Sequence, residues 1–355
     1  MAEVAKAVCS LSDLYTLERG LLSRRQGDDA HLLAKTLYFL ASDAPKVVMA
    51  LDECAARDAR FALPRNIVDV GCGVGATSVG LLLSLAQRGA RAVTITGVDH
   101  EPSVLALWAM AVRVAARVVK IDVTLRTFTD DLLTRPLPKE TDLVLCQTAL
   151  NERLPGNRSG ELTHDATTLD LVEGWGQAAP TLLIEPALRA TTRALQRLRD
   201  LLVARGHVDL IAPCPHRQAC PMLANERDWC HEARRVPPTP LAAEVQRLTR
   251  RRDETSLFSM LAIAPRLPQR GPNDPTDSPH LWRLVSDPLG SRGKTERWVC
   301  CGDGRLRQVR VLDRERSDTN ALLIEAERGT LVRLPVLPAS DRIAPSDVVE
   351  RTLGG

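Results

Sequence analysis

Ile67-Val68-Asp69-Val70-Gly71-Cys72-Gly73-Val74-Gly75-Ala76 is the stretch that decides the fold. Ile67 to Val70 is a short, almost wholly apolar run, as a strand covered on both faces requires. Gly71, Gly73 and Gly75 let the chain turn sharply off that strand and let backbone approach a ligand closely. The pattern then predicts a helix from Thr77 to about Arg88, whose first N–H groups point back at the turn. Outward from this unit the alternation repeats. Val93–Val98 reads as a second strand ending at Asp99, Ser103 to about Arg117 as a helix, and Val119–Leu125 as a third strand. Asp142–Cys146 and Thr181–Glu185 read as a fourth and fifth strand, Arg189–Ala204 as a helix, and Val208–Ile211 as a strand. Strands alternating with helices give an α/β chain with a parallel, doubly wound sheet.

Two kinds of cofactor use such a turn. A dinucleotide sets its pyrophosphate there, and Gly71, Gly73 and Ala76 satisfy that loose spacing. S-adenosylmethionine sets its methionine end there instead. Asp69 precedes the turn and could orient an ammonium; Asp99 closes the second strand, where a carboxylate can accept both ribose hydroxyls. These two acids favour S-adenosylmethionine, in the manner of class I methyltransferases, which the G-x-G-x-G turn resembles. Asp131 or Asp130, after the third strand, is a candidate for the adenine amino group or a helix cap. Asn151 and Glu152 follow the fourth strand at the carboxyl edge of the sheet, where open α/β folds bind ligands. They are the candidate catalytic residues. Cys146, among apolar neighbours, reads as core.

A second chemistry lies in Pro213–His231, P-C-P-H-R-Q-A-C-P-M-L-A-N-E-R-D-W-C-H, which carries Cys214, Cys220 and Cys230. Thiolates this dense, among Pro, His, Arg and Asp, suit zinc or an iron–sulfur cluster, and the residues alone do not choose between them. A fourth ligand has to come from His216, His231, Cys300 or Cys301. Nine cysteines without a secretory leader, and acids at Glu3, Asp13 and Glu18, point to a reducing, cytoplasmic setting. No eighteen consecutive residues are all apolar, so no membrane partner is expected.

At 355 residues, 44% hydrophobic and 26% charged, the chain has room for two domains and a large core. Its charge is uneven: Arg189–Arg252 holds 13 arginines, no lysine and six acids, while the whole chain is only +3. That excess could hold a phosphate backbone. Aromatics at 3% leave little for base stacking, so RNA contacts would lean on arginine.

The motifs together have a family likeness. D-V-G-C-G-V-G at 69–75, T-A-L-N-E-R-L at 148–154, L-L-I-E-P at 182–186, A-P-C-P-H-R-Q-A-C-P-M at 212–222 and D-W-C-H at 228–231 occur in one order. The chain resembles the methyltransferase-like assembly factors of the mitochondrial small ribosomal subunit and their bacterial relatives, over about residues 30–310. The resemblance implies a class I methyltransferase domain and a four-iron–four-sulfur cluster on Cys214, Cys220, Cys230 and Cys300, zinc being the alternative. Cys300 is chosen over Cys301 by aligning Asp303-Gly304 with the family's hairpin. The resemblance also implies the small subunit and its RNA as partners, with no DNA expected.

The family's E-P-G-T reads Glu185-Pro186-Ala187-Leu188 here, and its D-E-K-F-S-Y-L segment has lost the lysine and tyrosine. Three functions follow: methylation of small-subunit ribosomal RNA, a non-catalytic assembly role, or a zinc-stabilised small-molecule methyltransferase. The expected organisation is a helical cap (1–60), a Rossmann-like methyltransferase domain (61–264) with cysteine loop 212–231, a proline-rich linker (265–280), a small C-terminal β domain (281–340) and a tail (341–355).

Overall fold

Asn66–Val70 (β1) runs through the middle of a parallel sheet, with Ala92–Asp99 (β2) on one side and Leu143–Gln147 (β4) on the other. The computed structural model describes residues 1–16, 29–130, 136–153, 166–250, 254–268 and 278–352. The chain divides into two units: Met1–Leu154 with Ala178–Glu185 and Arg235–Ser256, and Pro155–Gln177 with Pro186–Arg234 and Leu257–Gly355. The expected divisions at 60 and 340 fall inside these units.

In the first unit, Asp122–Thr129 (β3) pairs with β2, and Thr181–Pro186 (β5) pairs with β4, giving the parallel order β3-β2-β1-β4-β5. β1, β4 and β5 are buried almost end to end, as apolar strands between two helical layers must be. β3 is largely exposed, and its alternating polar residues fit a sheet edge. Ala76–Gln87 (α4) follows β1, and Pro102–Val119 (α5) follows β2. α5 buries Val104, Leu105, Trp108, Val112 and Ala116 on one side. Trp108 lies so close to β2 that a Cβ on Gly97 would stand 2.8 Å from its ring. Among the described residues α5 is the one helix long and apolar enough to cross a membrane, by length and composition only.

The N-terminal helices form their own layer. Ala2–Thr16 (α1), Asp29–Ala34 (α2), a π-helical turn at Lys35–Phe39 and Leu40–Arg57 (α3) follow one another. Val4, Val8, Leu11, Leu14 and Tyr38 pack with Ala242 and Val245 of a later helix, Pro240–Thr249 (α8). A helix from beyond the cysteine loop thus packs with those of the first 57 residues. Leu17, Leu21 and Leu22 lie outside the described residues.

The second unit holds Ala166–Ala178 (α6), Arg189–Arg205 (α7), and Val208–Ala212 (β6), which pairs antiparallel with Thr255–Pro265 (β8). Glu232–Arg235 (β7), not expected from sequence, also pairs with β8. Beyond the proline-rich stretch, whose residues 269–277 are not described, comes a second sheet. Leu281–Leu284 (β9), Leu289–Ser291 (β10), Lys294–Cys301 (β11), Leu306–Leu312 (β12), Leu331–Arg333 (β13) and Glu350–Arg351 (β14) form it. Gly302-Asp303-Gly304 makes the hairpin between β11 and β12, with Gly304 at φ +81°.

Two expectations are corrected. Ala321–Glu325 is apolar enough to read as a strand of the β domain, but Leu322–Glu325 is one helical turn. The N–H of Leu323 donates to the Asn320 carbonyl, and that of Ile324 to Ala321, so local bonds replace a ladder. The expected tail supplies core: Ile343 is fully buried, Val349 is buried, and β14 pairs with β13.

Candidate functional site

The glycine turn is stitched to the end of β2. Gly71 and Cys72 donate their N–H groups to the Val98 carbonyl at 2.8 and 3.1 Å. Asp99 holds the turn from the side: one oxygen accepts from the Gly73 N–H at 2.9 Å, the other from the Glu101 N–H at 3.0 Å. Gly71, Gly73 and Gly75 all have positive φ, at 69°, 48° and 104°. A Cβ added at Gly73 would meet nothing within 4 Å, so the space above the turn is open. That is a cradle bounded by a carboxylate and a helix N-terminus, and it suits a cofactor carrying hydroxyls and a charged amino acid.

Asp69 sits beneath the turn, fully buried. Ser78 donates its hydroxyl to one carboxylate oxygen at 2.5 Å, and the Trp108 indole donates to Ser78 at 3.0 Å. The other oxygen of Asp69 has no partner among the described residues. Burial pushes this carboxyl up to about 7, with the Asp99 charge adding to the rise and Ser78 and Trp108 opposing it. Asp131 lies outside the described residues; its neighbour Asp130 donates its N–H to the Asp99 carbonyl at 3.1 Å.

Asn151 and Glu152 stand just past β4, on a 3-10 turn at Leu150–Arg153. Thr148, at the head of that segment, has φ +56°, a costly conformation for a β-branched residue. Asn151 is 2% exposed and donates twice to one partner: its side-chain amide nitrogen reaches one Glu185 oxygen at 2.6 Å and its backbone N–H the other at 3.2 Å. Glu185, at the end of β5, is the residue the sequence reading missed. Its signal was an acid closing an otherwise apolar strand. Glu152 is half-buried. Cys146 is 1% exposed, and burial pushes its thiol well above the ordinary range.

The second unit brings Cys214, Cys220, Cys230 and Cys300 to the wall of one cavity of about 40 Å³, together with His216 and His231. One water needs roughly 10–15 Å³ by the same measure. β11 delivers Cys300: it stands opposite Arg283 of β9 and Leu306 of β12. Strand alternation sends the next residue the other way. Cys301 packs into the β-sheet core with Trp282, Val299 and Val332.

The loop itself is held by guanidinium groups. Arg193 donates to the carbonyls of Met222, Asn225 and Asp228, at 3.2, 2.8 and 2.8 Å. Arg199 donates to those of His216 and Gln218, and to Asp200 at 2.6 Å. Asp200 in turn accepts the Cys220 N–H at 3.0 Å. Arg283 reaches the Pro213 carbonyl at 2.9 Å and a Glu232 oxygen, bracing the two ends of the loop. Arg328 donates to the Trp229 carbonyl at 2.9 Å. Arg193 and Arg199 were expected to face phosphate; they are 4% and 3% exposed and satisfy carbonyls that the proline-stiffened loop turns inward.

The thiols sense one another. Burial pushes Cys300 far up, and repulsion from Cys214, Cys230 and Cys220 adds to it. Burial likewise raises Cys230 to about 12, opposed by Arg283. Burial and Arg199 push His216 down to about 4, and burial and Arg328 do the same to His231, so both rings are neutral at pH 7. Thiols held protonated this way need a cation among them to ionise. No three His, Cys, Asp or Glu among the described residues are gathered closely enough to hold one metal ion. A lone zinc draws its sulfurs to about 3.8 Å of each other, given bonds of about 2.3 Å. Cys214, Cys220, Cys230 and Cys300 are the donors on that wall that a sulfur-ligated metal group would use.

The strand order β3-β2-β1-β4-β5, the glycine turn after β1 and the acid closing β2 define a class I S-adenosylmethionine-dependent methyltransferase fold, Rossmann-like. Residues 30–321 match the family described as mitochondrial small ribosomal subunit Rsm22, and the chain belongs to that family. That description overturns the cytoplasmic setting expected from sequence: acids at Glu3, Asp13 and Glu18 bear on one kind of leader, not on where a chain works. Nothing among the curated proteins matches.

Solved structures that resemble the chain include the plantazolicin methyltransferase BpumL with SAH, at 11% identity and TM-score 0.35, covering 75% of this chain and 95% of that one. The N-methyltransferase NodS from Bradyrhizobium japonicum WM9 with S-adenosyl-L-homocysteine is 12% identical, TM-score 0.34, covering 61% and 85%. A SAM-dependent methyltransferase from Geobacter sulfurreducens is 18% identical, TM-score 0.33, covering 62% and 91%. With TM-scores this low, the fold assignment rests on strand order and family.

Proposed function

We propose that this chain binds S-adenosylmethionine at the glycine turn, holds an iron–sulfur cluster on Cys214, Cys220, Cys230 and Cys300, and methylates small-subunit ribosomal RNA. The observation that carries it is the meeting of three loop cysteines with Cys300, far along the chain, around one cavity in a protein that also has the open turn. S-adenosylmethionine, when bound, supplies an electrophilic methyl on a sulfonium. Gly71, Gly73 and Gly75 let the backbone approach it; Asp99, already fixed by Gly73 and Glu101, keeps lone pairs for the ribose hydroxyls; Asp131 takes the adenine amino group. Glu152, half-buried just past β4, would serve as the base. Catalysis then comes mainly from positioning, and the target base has to leave its stack.

When bound, the cluster would supply a rigid inorganic junction. Arg193, Arg199, Arg283 and Arg328 fix the loop that would carry three of its thiolates, and their charge offsets that of the thiolates.

A second reading, binding to the small subunit without methyl transfer, is favoured by one observation. Asn151, a candidate catalytic residue, is 2% exposed and donates to Glu185 from both its side-chain amide and its backbone N–H. Full-length protein, methyl-labelled S-adenosylmethionine and immature small subunits separate the two. Label in the RNA is the expected result; co-sedimentation with the subunits without label would establish the second reading.

A further inference from the structure

The cavity holds one contact that neither the fold nor the thiolate set requires. His216 Nε2 stands 3.3 Å from Cys300 Sγ, within the reach of an N–H···S bond. The ring is 2% exposed and its position is fixed on several sides. Pro215 precedes it, its own carbonyl accepts from Arg199, and Gly304, in the hairpin after Cys300, lies against Nδ1: a Cβ there would be 3.8 Å away. A thiolate bound to iron can only accept. The proton between the two atoms therefore belongs on Nε2, the nitrogen facing sulfur.

His216 lies two residues after Cys214, so ligation was open to it as well. Its geometry argues otherwise. Nε2 is spent on the sulfur of another ligand, and Nδ1 faces the Gly304 hairpin. Hydrogen bonds to ligand sulfurs withdraw electron density from the cluster and raise its reduction potential. Resting on the cluster reading above, we propose that His216 is a positioning residue that donates Nε2–H to the Cys300 sulfur and thereby raises the reduction potential of the group held by the four cysteines.

The test uses the full chain purified without oxygen, as wild type, His216→Phe and His216→Gln. Phe keeps a planar ring without a donor; Gln keeps an N–H. Iron per chain, dye-mediated reduction potential and the iron–thiolate stretching bands in the resonance Raman spectrum are read for each. The expected result is full iron in all three, a lower potential and shifted bands in His216→Phe, and recovery toward wild type in His216→Gln. Iron-loaded His216→Phe with wild-type potential and bands would overturn the inference alone. Loss of iron from both variants, with the wild type loaded, would make His216 a ligand and overturn it too. A wild-type protein that takes up no iron would overturn the cluster reading itself, and this inference with it.

Discussion

Replacing Asp69 by asparagine tests the physics beneath the glycine turn. The wild-type carboxyl is fully buried and is pushed from 3.8 to about 7. A carboxyl whose pKa is higher in the folded state binds its proton more tightly there. Its contribution to stability is therefore fully present below about pH 4 and is lost as pH rises through 7. The full span, about 3 units at about 1.36 kcal/mol each, comes to about 4 kcal/mol. Roughly 2–3 kcal/mol of that falls between pH 5 and pH 8.

The substituted amide cannot ionise, and Ser78 can still donate to its oxygen. The amide also brings buried N–H groups to a place without an acceptor, a cost that does not vary with pH. The quantity to read is thus a slope. His216 and His231, whose pKa values are lowered to about 4, make both proteins less stable in acid, and this cancels in the comparison. Urea unfolding at pH 5, 6, 7 and 8 should show the stability of Asp69→Asn rising relative to wild type by roughly 2–3 kcal/mol from pH 5 to 8. A difference that stays flat over that range would mean Asp69 is ionised throughout at no cost, and would refute the reasoning.

Cys300→Ser should lose the iron and the visible absorption of the anaerobic protein, while Cys301→Ser keeps both and loses only packing; the opposite pattern would put the register wrong by one. Gly73→Ala meets no neighbour but holds φ at +48°, so it should cost about 1–2 kcal/mol of stability. By filling the cradle, it should also weaken S-adenosylhomocysteine binding about tenfold or more in calorimetry, a loss of roughly 1.4 kcal/mol. Asp99→Asn should weaken the same binding and also lower the melting temperature, because the amide's single oxygen can accept from Gly73 or from Glu101 but not from both. Arg199→Ala strips donors from two buried carbonyls and should destabilise the protein by about 3 kcal/mol or more; Arg199→Lys should recover only part, since one ammonium cannot reproduce the fork.

The first unit was legible because its signals are local. Ile67–Val70 is apolar on both faces, three glycines follow it, and Asp99 ends the next apolar run; each says where the chain turns without knowledge of its neighbours. The approach of Cys300 to the loop was read from the family hairpin, and the physical ground for it is strand parity, which pairs Cys300 with Arg283.

What escaped is set by distant partners. Glu185 looked like the end of a strand until Asn151 was placed against it. Arg193 and Arg199 read as surface charge, since nothing in a sequence tells which carbonyls a loop leaves turned inward. β7, β10 and β14 are two to four residues long and exist only because a neighbouring strand is there to pair. Ala321–Glu325 is apolar enough for either state, and the Asn320 and Ala321 carbonyls decided it.

The parity of β11 has a consequence for the order of events. Cys300 faces the loop only once β9 and β12 have zipped onto β11, and the loop keeps its shape only once α7 has supplied Arg193 and Arg199. The four sulfurs are therefore neighbours in the finished protein and strangers in the nascent one. A group held by all four would therefore need both pieces of structure at once, and its binding energy would add to the stability of both.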